Sequence, residues 1–140
     1  MKIYLTYDYE LFFGESTGSV EACMLNPTNR LLEMAKIYRA KMTFFIDVGH
    51  LIQLKKHGED HPELHADFDK IESQIKAMVS DGHSVQLHIH PHWEKAKYVD
   101  GVWKFKMKGN YRLSGFRKEK ITRIVTEYHA FLKELTSKPV

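Results

Sequence analysis

The chain has 140 residues, 43% hydrophobic and 28% charged, a balance that fits one globular domain able to bury a core and excludes a disordered or fibrous class. Its 21 basic and 18 acidic residues leave a formal net charge of +3, densest over residues 95–108, which reads as solubility and excludes a dedicated nucleic-acid surface. The single cysteine, Cys23, excludes an intrachain disulfide, and the N-terminal run Met1-Lys2-Ile3-Tyr4-Leu5 is too short and too soon interrupted by Asp8 for a signal peptide or a membrane span. No membrane partner is expected; the compartment stays open, with the cytoplasm favoured because no leader is visible.

Residues 2–7, a near-continuous apolar and β-favouring run, predict a first strand buried on both faces. An irregular, glycine-containing stretch follows over residues 12–24. Asn26 as N-cap and Pro27 at the first helical position then open a helix whose face carries Leu31, Leu32, Met34, Ala35 and Tyr38. Residues 42–46 form a second strand ending at Asp47 and Gly49, followed by a short helix over 51–55 and a polar loop over 58–62. Phe68, Ile71, Ile75, Met78 and Val79 mark a helix that stops near Asp81-Gly82, and residues 83–87 make strand three.

A β insertion is expected over residues 98–113. There Asp100-Gly101 and Gly109-Asn110 bracket a period-two run with Trp103, Phe105 and Met107 on one face and lysines on the other. The last helix carries Ile121, Ile124, Val125, Tyr128, Phe131, Leu132 and Leu135, capped by Ser114 and stopped at Lys138-Pro139-Val140. Strand, helix, strand, helix, strand, insertion, helix is the order of an α/β fold with parallel strands and right-handed crossovers, in one domain over residues 1–140.

On this frame the chemically capable groups fall at the strands' carboxyl ends, where parallel α/β folds place their sites. Asp8 and Glu10 follow strand one, Asp47 closes strand two, and His88, His90 and His92 follow strand three at alternate positions. Two imidazoles and a carboxylate hold a divalent ion with coordination positions left open, so the cluster reads as a metal site. His90 has a direct role or is a neighbour of the ligands. Asp47 suits the N-cap of the short helix better than a ligand role. His50, His57, His61, His65 and His129 share no face and read as ordinary surface or second-layer residues, and Cys23 as a small filler.

The segments Leu5-Thr6-Tyr7-Asp8-Tyr9-Glu10, Met42-Thr43-Phe44-Phe45-Ile46-Asp47 and His83-Ser84-Val85-Gln86-Leu87-His88-Ile89-His90-Pro91-His92-Trp93 resemble the opening motifs of the polysaccharide deacetylases, metal-dependent carbohydrate esterases of family 4. The resemblance implies the N-terminal half of a distorted, seven-stranded (β/α) barrel. It also implies removal of N- or O-linked acetyl groups from a carbohydrate by metal-activated water. By it Asp8 is the catalytic base and Glu10, His88 and His92 are metal ligands; it is silent on which ion is bound, and zinc is expected, with cobalt, nickel or manganese as alternatives. His90, Asp47 and Trp93 fall where substrate contacts or supporting groups would lie.

Two departures qualify the match. The family's adjacent aspartate pair is here Asp8-Tyr9 with the next carboxylate at Glu10, which leaves open which of Asp8 and Glu10 ligates. The family's later motifs, with an arginine that braces the base and a histidine that acts as general acid, lie on strands beyond residue 140. Since such barrels need about 200 residues or more, the chain reads as the N-terminal part of a longer enzyme that alone binds metal better than it turns over substrate. The alternatives are a related amidase acting on a non-sugar C–N bond and a non-catalytic metal- or glycan-binding domain. Trp93, Tyr98 and Trp103 are candidates to stack on sugar rings. Self-association is expected through two open sheet edges and an uncovered apolar inner face.

Overall fold

Three short strands pair in parallel in the order β1-β2-β3: β1 (Thr6–Tyr9), β2 (Thr43–Asp47) and β3 (Ser84–His88). The structure is a computed structural model that describes residues 2–12 and 18–137. Side chains alternate across a strand, so the register Tyr7↔Phe44↔Val85 and Tyr9↔Ile46↔Leu87 gathers the large apolar residues on one face. The helices that supply the core are α1 (Asn26–Tyr38), α2 (Val48–His57), α3 (Pro62–Ser80) and α4 (Lys118–Thr136). Phe44 and Ile46 are fully buried together with Leu51 and Leu54 of α2, Ile71, Ile75 and Met78 of α3, and Ile124 and Leu132 of α4. The chain is thus mixed α/β with a three-stranded parallel sheet. No helix among the described residues is long and apolar enough to cross a membrane.

Several local expectations shift. The first strand starts at Thr6, and Ile3 and Tyr4 ahead of it are 71% and 80% exposed rather than buried. The cause is position: β1 is an edge strand, and its leading residues have only the Leu5 carbonyl, which accepts the Thr43 N–H at 2.9 Å, to tie them to β2. A π-helical turn (Glu21–Leu25) runs directly into α1, so Asn26 is already helical and Leu25 takes the cap position without a side-chain bond. Ser114 lies in a separate 3-10 turn (Leu113–Gly115), and α4 starts behind Arg117 with no side-chain cap. The stop expected at residues 138–140 lies outside the described residues, as do residues 13–17 of the irregular stretch.

The other sheet face departs from expectation in character. It carries Thr6, Thr43 and Ser84 in one row, Asp8, Phe45 and Gln86 in the next, and Asp47 beside His88 at the carboxyl end. This face is half-exposed, but it is polar apart from Phe45, not apolar. The insertion is a hairpin of β4 (Lys97–Val99) and β5 (Val102–Lys104), joined by Asp100 and Gly101 at φ 53 and 76. Two successive left-handed residues make the tight turn whose twist suits antiparallel strands, which is why Asp-Gly stands there. Pairing ends at Lys104 because β4 offers only three residues, so Phe105 and Met107 continue the alternation without a partner strand.

Between β3 and the hairpin, a 3-10 turn (Pro91–Lys95) drives Trp93 into the core beside the start of α2. Contact is so close that a Cβ on Gly49 would lie 2.8 Å from the Cβ of Trp93. Gly49→Ala is expected to force the indole or the first turn of α2 to shift, at a cost of about 1–3 kcal/mol. Chemical denaturation of the variant checks this; a midpoint equal to the parent's would show that Trp93 is not packed as described.

Candidate metal centre

Glu10 stands one residue past β1, His88 is the last residue of β3, and His90 is two residues further along still-extended backbone at φ −107, ψ 101. Residues two apart on an extended chain project to the same side, so both rings face the carboxylate at the end of β1. The Nε2 atoms of His88 and His90 are 3.0 Å apart, His88 Nε2 lies 3.2 Å from Glu10 Oε2, and His90 Nε2 hydrogen-bonds that same oxygen. The side chains are 27%, 25% and 28% exposed, so the group is reachable from solvent without being fully hydrated.

These three form a group that could hold a metal ion. Ligands bonded to zinc at about 2.0–2.1 Å in a tetrahedron stand roughly 3.3 Å from one another; the two separations made by His88 are close to that, while His90 and Glu10, in direct hydrogen bond, would have to part to take an ion between them. The donor set also fits chemically: two neutral imidazole nitrogens and a carboxylate oxygen, with room for further ligands on the exposed side. The three side chains also act on one another's charges. The hydrogen bond to His90 keeps the Glu10 carboxyl below its ordinary range, against the opposing effect of burial and with help from the His90 and His88 charges. Burial works against a proton on His90, yet the hydrogen bond to Glu10 and the charges of Asp47, Glu10 and Asp8 outweigh it and raise its pKa.

The group that meets here differs from the expected ligand set in one member. His92 is not in the trio; it is 2% exposed, with its ring 5.2 Å from that of His90, 5.4 Å from Trp93 and edge-on to Phe105 at 4.9 Å. The period-two alternation ends at Pro91, whose fixed φ opens the 3-10 turn, and the next histidine turns inward. Burial pushes the His92 pKa down to about 4. Asp8 stays outside the trio, exposed on the polar sheet face beside Phe45, close enough for its charge to act on His90.

Asp47 and Trp93 serve each other. The indole Nε1–H donates to Asp47 Oδ2 at 2.5 Å, while Asp47 Oδ1 has no partner among the described residues. Asp47 sits at the N-cap of α2 but makes no side-chain cap bond, because its carboxylate is turned to the indole. Burial pushes its pKa up to about 7. Trp93 is a packing residue, stacked on His50 at 4.7 Å and met edge-on by Trp103 and Phe105, so it offers no face to a sugar. Tyr98 and Trp103 are half-buried and keep that capacity.

Sequence reasoning missed His50. Read as an ordinary residue, it is fully buried, and burial pushes its pKa down to about 3. The available signal was its place one residue after the Gly49 that Trp93 closes upon. Comparison with family models, curated proteins and solved structures gives no match for this chain.

The buried titrating groups give stability a pH dependence with opposite signs. His50 and His92 have folded pKa values below the ordinary 6.5, so their contribution is lost as pH falls from about 6.5 toward 4 and 3. The slope is about 1.4 kcal/mol per pH unit for each group. Asp47 has a folded pKa raised above 3.8, so its contribution is present below that value and lost as pH rises toward 7. Melting temperature followed against pH is expected to fall on the acid side, less steeply in His50→Phe and, because the opposing Asp47 slope is then gone, more steeply in Asp47→Asn.

Proposed function

We propose that Glu10, His88 and His90 hold a divalent metal ion, zinc first, in a hydrolase that removes acetyl groups from a carbohydrate. The observation that carries this reading is the meeting of three donor atoms at the carboxyl ends of two strands, close enough together to share one ion. A bound divalent ion would supply Lewis acidity, polarising an acyl carbonyl and bringing the pKa of a coordinated water from about 15.7 toward roughly 7.

The chain's own residues would do the rest. Asp8, exposed two residues before Glu10, would take the proton of an attacking water at its carboxylate. Glu10 keeps its charge because its pKa is lowered, and His90 must give up its proton to ligate, which makes metal uptake stronger at higher pH. The resemblance of the three segments to polysaccharide deacetylases supports the acetyl and carbohydrate assignment; the pairing of His88 with His90 in place of His92 is where the chain departs from it. The three parallel strands, with helices on the apolar face, are compatible with part of a (β/α) barrel whose lumen side would carry Thr6, Thr43, Ser84 and Gln86. A related amidase would use the same trio and base, and a substrate panel separates the two.

Protein purified without chelator is expected to carry about one zinc or similar divalent ion per chain. Glu10→Ala, His88→Ala and His90→Ala are each expected to lose it, with affinity falling at least 100-fold, whereas His92→Ala keeps it once circular dichroism shows the fold intact. Retention in His90→Ala with loss in a folded His92→Ala would replace this trio by the four-residue spacing. Any acetate released from acetylated chito-oligosaccharides is expected to fall roughly 100-fold or more in Asp8→Asn with metal content unchanged.

A further inference from the structure

Next to the trio, α2, α3 and the β4–β5 hairpin border a cleft of about 500 Å³, with His50, Leu64, Asp67, Tyr98, Trp103 and Lys104 on its wall. That volume suits a small ligand of one to three rings. Leu11, the neighbour of Glu10 in the chain, is also on the cleft wall. The His50 ring is fully buried between its stack on Trp93 and the edge of Trp103 at 6.3 Å, and neither ring nitrogen has a hydrogen-bond partner among the described residues. A buried donor and a buried acceptor left unpaired on one ring are costly to the fold, and such groups usually have an occupant to serve. The half-buried indole of Trp103 meets the Tyr98 ring at 5.0 Å, so two aromatic surfaces stand beside that imidazole.

The wall selects among ligand chemistries. Asp67 and Lys104 put one charge of each sign on the wall, so neither a cation nor an anion is favoured overall, and His50, with its depressed pKa, adds no charge. An apolar ligand would leave both imidazole nitrogens unpaired. A neutral ring with apolar faces and several hydroxyls satisfies all three conditions, because each hydroxyl both donates and accepts and the C–H faces pack on aromatic rings.

We propose that this cleft is a saccharide subsite: a sugar ring lies against Trp103 and Tyr98, and its hydroxyls pair with the His50 imidazole once Trp103 moves aside to admit them. That movement would give up the edge contacts of Trp103 with His50, His57 and Trp93, which the sugar's own contacts would have to replace. The subsite rests on the hydrolase reading for its place in catalysis, since it names where the carbohydrate would be gripped. Binding itself needs neither the metal nor the trio.

The test is a titration of Glu10→Ala protein, kept metal-free, with cellotriose and with chitotriose, read by tryptophan fluorescence and by calorimetry. A saturable change with at least one trisaccharide is expected, weakened at least ten-fold in the same protein carrying Trp103→Ala or His50→Phe. His50→Phe keeps the stack on Trp93 and removes both unpaired nitrogens, so it is expected to melt no lower than its parent, which separates lost binding from lost folding. No saturable response to either sugar, or unchanged affinity with His50→Phe, overturns the proposal. Saccharide binding without any acetate release from metal-loaded protein would keep the subsite and remove the hydrolase; acetate release indifferent to His50→Phe would do the reverse.

Discussion

The hydrogen bond from Trp93 Nε1 to Asp47 Oδ2 is the constraint on which the candidate site depends. It joins the end of β2 to the segment after β3, and both partners are almost wholly buried. A hydrogen bond to a charged group contributes about 1.5–3 kcal/mol, but taking a carboxylate out of water opposes it, which is why the Asp47 pKa rises to about 7 instead of falling. The absent side chain of Gly49 lets the indole approach, and His50 supplies the flat surface beneath it. Fixing Trp93 fixes the 3-10 turn around it, and that turn decides where the extended run of β3 ends. The choice of His90 over His92 as the partner of Glu10 follows from packing two residues away, not from the chemistry of either imidazole.

The same packing separates the two carboxylates of the region. Glu10 is half-buried and hydrogen-bonded by an imidazole, so it stays ionised below its ordinary pKa. Asp47, a strand away and in register with His88, is dry and holds its proton more tightly than a free aspartate. Neighbouring acids pushed in opposite directions by their surroundings are a usual source of divided roles. Here the division is between a group able to bind a cation and a group that holds the scaffold still. Asp8, exposed on the same face as Asp47 and His88, is a third carboxylate in a third environment.

Much of this was legible because it rests on local rules. Period-two and period-3.6 patterns placed three strands and the main helices, Asp100-Gly101 announced its hairpin, and parallel topology put Asp8, Glu10, Asp47 and His88 at one end of the sheet. The rest depends on contacts distant in sequence. Nothing in the spacing of His88, His90 and His92 says that the alternation stops at Pro91, since that requires Trp93 to have a pocket made by Asp47, Gly49 and His50. Nothing in residues 2–5 says that their apolar side chains lie beyond the paired part of an edge strand. His50 looks like any helical histidine until two tryptophans close around it.

The exposed apolar surface has its own logic. The sheet face that lacks helices is polar, so water satisfies it and no dry partner is needed there. Exposed apolar side chains lie elsewhere among the described residues. Ile3, Tyr4 and Leu5 are exposed ahead of β1, and α1 presents Met34, Ile37 and Tyr38 to solvent while Ala35 faces inward. A helix with apolar residues on two sides is built to be covered twice. Strand β1 keeps one edge of backbone donors and acceptors unpaired within the three-stranded sheet, so whatever extends this sheet gains hydrogen bonds and apolar burial together at that edge. The apolar side chains ahead of β1 thus lie beside an unpaired strand edge, and not on the polar face that carries Asp8 and His88.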